Sequence, residues 1–143
     1  MNLVIDASVL IKFFIPEILY EKAAELLQQV ESGGIQLLAP DLIYAESGNI
    51  LWKKCRLKEL NRSQVEQIST VIENLPITVV PSKSLFHLAL VIAMRYSITV
   101  YDALYLALAR IHESPFLTAD KKLVAALANT EWNKYVLWLG RYS

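Results

Sequence analysis

The residues of this sequence best suited to chemistry are four carboxylates, Asp6, Glu46, Asp102 and Asp120. Asp6 and Asp120 each come just after a short apolar run typical of a buried strand, and open α/β sheets bind their ligands at the carboxyl ends of strands. Carboxylates gathered there would repel one another unless cations occupied the site. Hard oxygen ligands without histidine or cysteine favour Mg²⁺ or Mn²⁺ over Zn²⁺, and such ions serve in-line displacement at phosphorus. The four side chains therefore indicate metal-dependent chemistry on a phosphate ester.

Each aspartate also has a purely structural interpretation. Asp6, Asp102 and Asp120 all stand at predicted helix starts, where a carboxylate caps the free backbone N–H groups of the first turn. Taken singly, Asp102 and Asp120 fit a cap better than a ligand, and Asp6 fits either role. The combination of the three favours a site.

Glu46 is different because capping does not explain it. It lies inside a predicted helix with apolar residues one turn before and one turn after it, and a carboxylate on an apolar helix face is unfavourable unless it is paired. The structural alternative is a hydrogen bond with Asn49, one turn away, or an ion pair with Lys53, two turns away, which is a poor reach.

In chain order the four carboxylates lie in the segments VIDASVLIKFF, APDLIYAESGNIL, VYDALYLALA and FLTAD. These segments resemble the four motifs of the PIN-domain family, and within it the chain looks most like the VapC-type toxin ribonucleases of bacterial and archaeal toxin–antitoxin pairs. The similarity runs almost from end to end, and the third motif with its Ala- and Leu-rich helix is fairly specific. The resemblance implies an α/β fold, a PIN-like three-layer α/β/α sandwich with a central, mainly parallel sheet.

The metal-binding and catalytic residues that the resemblance implies, by position in the motifs, are Asp6, Glu46, Asp102 and Asp120. Ser8, Asn49 and Thr118 match the family's supporting polar residues, which orient the carboxylates or water. The resemblance further implies Mg²⁺- or Mn²⁺-dependent cleavage of RNA leaving a 5′-phosphate, a homodimer, and inhibition by a small antitoxin protein. The predicted function is therefore that of an endoribonuclease, the toxin of a toxin–antitoxin pair.

Two other functions remain open at this point. A metal-dependent phosphatase with an aspartate nucleophile after its first strand usually has a second aspartate two residues on, where this chain has Ser8. A catalytically silent PIN fold could serve as an RNA-binding or assembly module. The complete set of four carboxylates argues against that second alternative.

The only basic run lies between Lys53 and Arg62, beside the Glu46 helix. Within it Lys53, Lys54 and Arg56 are candidates for RNA-phosphate contact, and a solvated helix face is an equally good interpretation. The formal net charge is zero, so RNA binding must depend on a local patch rather than on overall charge.

Short apolar runs alternate with helical patterns, which predicts a parallel sheet with helices packed on its faces. Strands are predicted at 3–5, 35–38, 77–80, 115–118 and 136–139. Helices are predicted at 9–14, 17–31, 84–96, 102–112 and 121–128, with two more beginning near Asp41 and at a capping box formed by Asn61 and Gln64.

The composition predicts one folded domain over residues 1–143. The chain is 55% hydrophobic and 20% charged with only 4 Gly and 5 Pro, which excludes low complexity and disorder. Mean hydropathy is high, at +0.35, yet no apolar run approaches the roughly 18–20 residues of a membrane span. We therefore expect neither a membrane segment nor a signal peptide, and we expect apolar surface to be buried against a partner. A location in the cytoplasm is consistent with Cys55 being the single cysteine.

Overall fold

Parallel strands form the sheet that positions the four carboxylates. The structure is a computed structural model that describes residues 1–142. Within them the strands are β1 (Asn2–Ile5), β2 (Gln36–Pro40), β3 (Ile77–Val80), β4 (Phe116–Thr118) and β5 (Val136–Trp138). Their order in the sheet is β3-β2-β1-β4-β5, and every adjacent pair is parallel.

Seven α-helices connect and flank the strands in the described part of the chain. They are α1 (Ala7–Lys12), α2 (Tyr20–Glu31), α3 (Leu42–Arg56), α4 (Arg62–Asn74), α5 (Ser82–Tyr96), α6 (Val100–Ile111) and α7 (Lys121–Leu127). Short 3-10 helices at Glu131–Tyr135 and Leu139–Arg141 flank β5. The predicted fold class, an α/β/α sandwich on a mainly parallel sheet, is confirmed.

The strand order places a crossover beside β1. The chain builds the sheet outward from β1 through β2 to β3 and then returns to place β4 on the other side of β1. Such a reversal opens a crevice at the carboxyl ends of the two strands that flank it, where α/β proteins bind ligands. Ile5 pairs with Leu117, so Asp6 and Thr118 leave the sheet side by side.

Helix α6 forms the centre of the core. All residues from Ala103 to Ala109 are buried, as expected for an Ala- and Leu-rich helix that is apolar on every side. The inner residues of β1 and β4, such as Val4, Ile5 and Phe116, are fully buried as well. This rigid packing fixes the positions of the side chains at the carboxyl edge of the sheet.

Several predicted helix ends are confirmed, whereas both ends of α1 and the starts of α2, α5 and α6 are wrong by two or three residues. The capping box of Asn61 and Gln64 is present at α4, and α2 ends before Gly33, whose φ is +84°. Helix α2 begins at Tyr20 rather than Glu17 because Leu19 has φ of +71°, outside the right-handed helical region. Helix α6 begins at Val100 rather than Asp102 because the hydroxyl of Thr99 caps it.

Among residues 1–142, no single helix is long and apolar enough to cross a membrane, and α5 and α6 meet that test only as a pair bent by 118°.

Candidate functional site

All four predicted carboxylates line one cavity of about 260 Å³ at the carboxyl edge of the sheet. Asp6 follows β1, Asp120 follows β4, Glu46 projects from α3 and Asp102 from the first turn of α6. Four separate elements thus bring together carboxylates that lie far apart in sequence. The other residues lining the cavity are Ala7, Ser8, Asn49, Ile50 and Tyr105.

Asp6 is the most deeply buried of the four, with 8% of its surface exposed. Its carboxylate accepts hydrogen bonds from the hydroxyl of Ser8, from Thr118 Oγ1 at 2.6 Å and from the backbone N–H of Val9 at 3.2 Å. Burial raises the pKa of Asp6 from 3.8 to about 6, although these hydrogen bonds lower it, and the charge of Glu46 raises it further. Asp6 therefore caps α1, as its structural interpretation requires, and also faces the cavity.

Ser8 and Thr118 join the ends of β1 and β4. The hydroxyl of Ser8 accepts from the backbone N–H of Ala119 at 3.1 Å, and Thr118 Oγ1 accepts from that of Asp120 at 3.1 Å. Both hydroxyls also donate to Asp6, so each links the carboxylate to the opposite strand end. Asn49 lies on the wall of the cavity but makes no side-chain hydrogen bond within residues 1–142.

Glu46 is paired with a residue that the sequence did not single out. Its Oε1 accepts a hydrogen bond of 2.6 Å from the hydroxyl of Tyr105, whereas Lys53 is exposed and forms no ion pair with it in the described chain. The ring of Tyr105 stacks on Phe116 with centroids 5.5 Å apart. Burial raises the pKa of Glu46, the Tyr105 hydrogen bond lowers it, and the charge of Asp102 raises it.

Asp102 and Asp120 differ in their relation to helix starts. Thr99 caps α6, so Asp102 stands in the first turn and the predicted cap role is wrong for it. Burial raises the pKa of Asp102, and the charge of Asp120 raises it further. Asp120 does cap α7. Its Oδ1 accepts hydrogen bonds from the backbone N–H groups of both Lys122 and Leu123.

The carboxylates suit a hard divalent cation in type and charge. All four are oxygen donors around one cavity, and neighbouring charges raise the pKa of Asp6, of Glu46 and of Asp102, after the larger effect of burial; a cation would relieve that repulsion. Across residues 1–142, however, no three acidic, histidine or cysteine side chains are grouped closely enough to form a ready-made ligand set. Ligation would therefore need these carboxylates to move closer together.

The basic run does not form one surface. Lys53 is exposed, and the guanidinium of Arg56 lies over the ring of Trp52, 5.3 Å from its centroid. Lys54 instead forms ion pairs with Glu17, between α1 and α2, at 3.2 Å and with Glu59, between α3 and α4, at 3.5 Å. The three predicted RNA-binding side chains thus have three different environments.

Comparisons with known proteins give consistent results. A family model described as the PIN domain matches residues 3–128. Ribonuclease VapC3 of Pyrobaculum aerophilum is 31% identical over 128 residues, which cover 86% of this chain and 92% of that protein.

Solved structures show the same fold. The crystal structure of PAE2754 from Pyrobaculum aerophilum has a TM-score of 0.68 at 21% identity, covering 98% of this chain and 85% of that one. A toxin–antitoxin complex from Klebsiella pneumoniae has a TM-score of 0.63 at 16% identity, covering 94% of each chain.

Proposed function

The chain belongs to the PIN domain family, and from this we propose that it is a Mg²⁺- or Mn²⁺-dependent endoribonuclease, the toxin of a cytoplasmic toxin–antitoxin pair. The observation that carries the proposal is the cavity lined by Asp6, Glu46, Asp102 and Asp120. Similarity to a protein named as a ribonuclease supports RNA as the substrate. Similarity to a chain of a toxin–antitoxin complex supports an antitoxin partner.

The four carboxylates would hold the metal. When bound, Mg²⁺ or Mn²⁺ supplies positive charge at the scissile phosphate and activates water for in-line attack. The carboxylates themselves repel a phosphodiester, so binding of the substrate in the cavity is unfavourable when no metal is bound. Ser8 and Thr118 fix the rotamer of Asp6 through hydrogen bonds to its two oxygens, and Tyr105 fixes Glu46 in the same way. These hydrogen bonds hold the two carboxylates in orientations that line the cavity.

The proposal is tested by incubating the purified protein with total cellular RNA, with Mg²⁺ or Mn²⁺ and with EDTA. We expect discrete RNA fragments only when the metal is present. Hydrolysis of a phosphomonoester without RNA cleavage would favour the phosphatase. RNA binding without hydrolysis of RNA or of a phosphomonoester would favour the catalytically silent RNA-binding module.

The hydrogen bond from Tyr105 to Glu46 leads to a pH prediction. Replacing Tyr105 with Phe keeps the stacking on Phe116 but removes the donor that favours the ionised Glu46, so the pKa of Glu46 rises. The acidic limb of the pH–rate profile for RNA cleavage should then move to higher pH. Tyr135→Phe, which changes a tyrosine outside the cavity, is the control. An unshifted acidic limb in Tyr105→Phe would show that Glu46 does not govern cleavage.

Exposed apolar side chains support a homodimer. Phe86 and Met94 on α5 are 59% and 69% exposed, and Tyr101 at the start of α6 is 61% exposed. Exposed apolar area of this kind on neighbouring helices is typical of a binding surface. We propose that a second copy of the chain covers it.

Light scattering tests the dimer. The parent should be a dimer at micromolar concentration, and Phe86→Glu should be a folded monomer because a charge is costly in an apolar contact. Ile18→Glu, at an exposed site on the segment between α1 and α2, should leave the dimer intact. A parent that is monomeric throughout this range would contradict the proposal.

A further inference from the structure

A second cavity, of about 370 Å³, adjoins the carboxylate cavity and is lined by two lysines as well as by the carboxylates of Glu17 and Asp120. The two cavities share Ser8, Ile50 and Asp120 as lining residues. Lys12 from α1 and Lys54 from α3 line the second one. A polymer with regularly spaced negative charges that reaches the first cavity would place a neighbouring charge in or near the second.

Lys12 has a charge that is only weakly compensated. Its side chain is 13% exposed, and its only ion pair within residues 1–142 is with Glu17 Oε2 at 3.9 Å. A largely buried ammonium is costly unless an anion is close. The Lys12 site therefore favours the arrival of a further anion.

Lys54 shares the same carboxylate. Its side chain is 18% exposed, and its ammonium lies 3.2 Å from Glu17 Oε1 and 3.5 Å from Glu59 Oε2. Glu17 thus divides its two oxygens between two lysines, each from a different helix. It stands outside both α1 and α2, so its side chain can move away without disrupting a helix.

We propose that Lys12 and Lys54 bind a phosphate of single-stranded RNA adjacent to the one at the carboxylates, and that Glu17 occupies this position in the free protein. The inference rests on the proposed ribonuclease function. Lysine binds phosphate as a compact point charge, and a neutral protein needs such a local site to hold RNA beside four carboxylates. The arriving phosphate takes the place of the Glu17 carboxylate between the two ammonium groups.

A merely structural ion-pair network predicts the opposite behaviour of Glu17. If Glu17 only ties α1 to α3, its removal loosens the protein and does not improve RNA binding. If Glu17 competes with a phosphate, its removal frees two cations and strengthens binding. The sign of the change in RNA affinity therefore distinguishes the two roles.

The experiment measures fluorescence anisotropy of a labelled single-stranded RNA of mixed sequence, in Mg²⁺ buffer across a salt series. All variants are made in an Asp102→Asn background so that the RNA stays intact. Lys12→Met should weaken binding about tenfold and reduce the slope of log affinity against log salt by about 0.7, the value for one single-strand phosphate contact. Glu17→Gln should raise affinity several-fold. Lys134→Met, which changes an exposed lysine just before β5 that lines neither cavity, should change neither quantity.

Unchanged affinity and salt slope in Lys12→Met, or weaker binding in Glu17→Gln, would overturn the proposed subsite. Melting curves establish whether each variant is folded, and the affinity of Glu17→Gln decides between the two roles if Lys12→Met does not fold. Metal-dependent RNA cleavage by the parent is measured separately. Cleavage with unaltered binding in both variants refutes the subsite alone, whereas absence of any cleavage refutes the ribonuclease function.

Discussion

Replacing Asp102 with Asn is expected to reduce RNA cleavage by about a thousandfold, because metal-ion catalysis contributes several kcal/mol and each tenfold in rate corresponds to about 1.4 kcal/mol. The same change should stabilise the metal-free protein near neutral pH. Burial and the charge of Asp120 raise the pKa of Asp102, so its ionised form is unfavourable in the fold. The neutral amide of asparagine removes the free-energy cost of the buried charge while keeping the shape of the side chain.

The measurements are single-turnover cleavage rates with Mg²⁺ and urea unfolding with EDTA. Glu73→Gln is the matched control, because it removes one carboxylate charge at an exposed position of α4. It should leave the cleavage rate and the free energy of unfolding nearly unchanged. An Asp102→Asn protein that cleaves as fast as the control would show that Asp102 is not part of the catalytic site.

Asp6 alone is expected to lower the stability of the metal-free parent by about 3 kcal/mol as the pH rises from about 4, and to lower it no further above about 6. Burial raises the pKa of Asp6 from 3.8 to about 6. Between these values the unfolded chain releases the Asp6 proton while the folded chain retains it, so the free energy of unfolding falls. Above the folded-state pKa Asp6 is ionised in both states, and its contribution to the slope vanishes.

Urea unfolding with EDTA at a series of pH values tests this, with Asp6→Asn as the comparison. The variant should lack most of the decrease between pH 4 and 6 that the parent shows, since it has no proton to lose at this position. Glu73→Gln should follow the parent. If the stability of the parent did not fall relative to that of Asp6→Asn across this range, the assignment of Asp6 as a carboxylate destabilised by burial would be contradicted.

The sheet and the four carboxylates were predictable because their signals are local. One apolar run ends at Asp6, and another ends at Thr118, two residues before Asp120. Each run predicts a strand and its carboxyl end without any knowledge of tertiary structure. The parallel pairing of Ile5 with Leu117 then makes Asp6 and Thr118 neighbours. Helix starts were less secure, because both Thr99 and Asp102 are good capping residues and sequence alone does not decide which one caps.

The partners of the carboxylates were not predictable in the same way. Tyr105 reaches Glu46 across 59 positions, and the only local hint was its place three residues after Asp102, on the same side of α6. In the sequence Lys12 only interrupts an apolar run, and its position beside Lys54 depends on the contact between α1 and α3. Such side-chain contacts result from packing between elements that are distant in sequence, and the hydrophobic periodicity of the sequence does not predict that packing.

We propose that Asp6, Glu46, Asp102 and Asp120 together form one metal site. Calorimetric titration of Mn²⁺ into the metal-free parent, Asp102→Asn, Asp120→Asn and the Glu73→Gln control tests it directly. We expect the parent and the control to bind Mn²⁺ with the same affinity, and each aspartate variant to bind at least about tenfold more weakly, since each loses a charged ligand. Equal Mn²⁺ affinity in all four proteins would contradict the shared site.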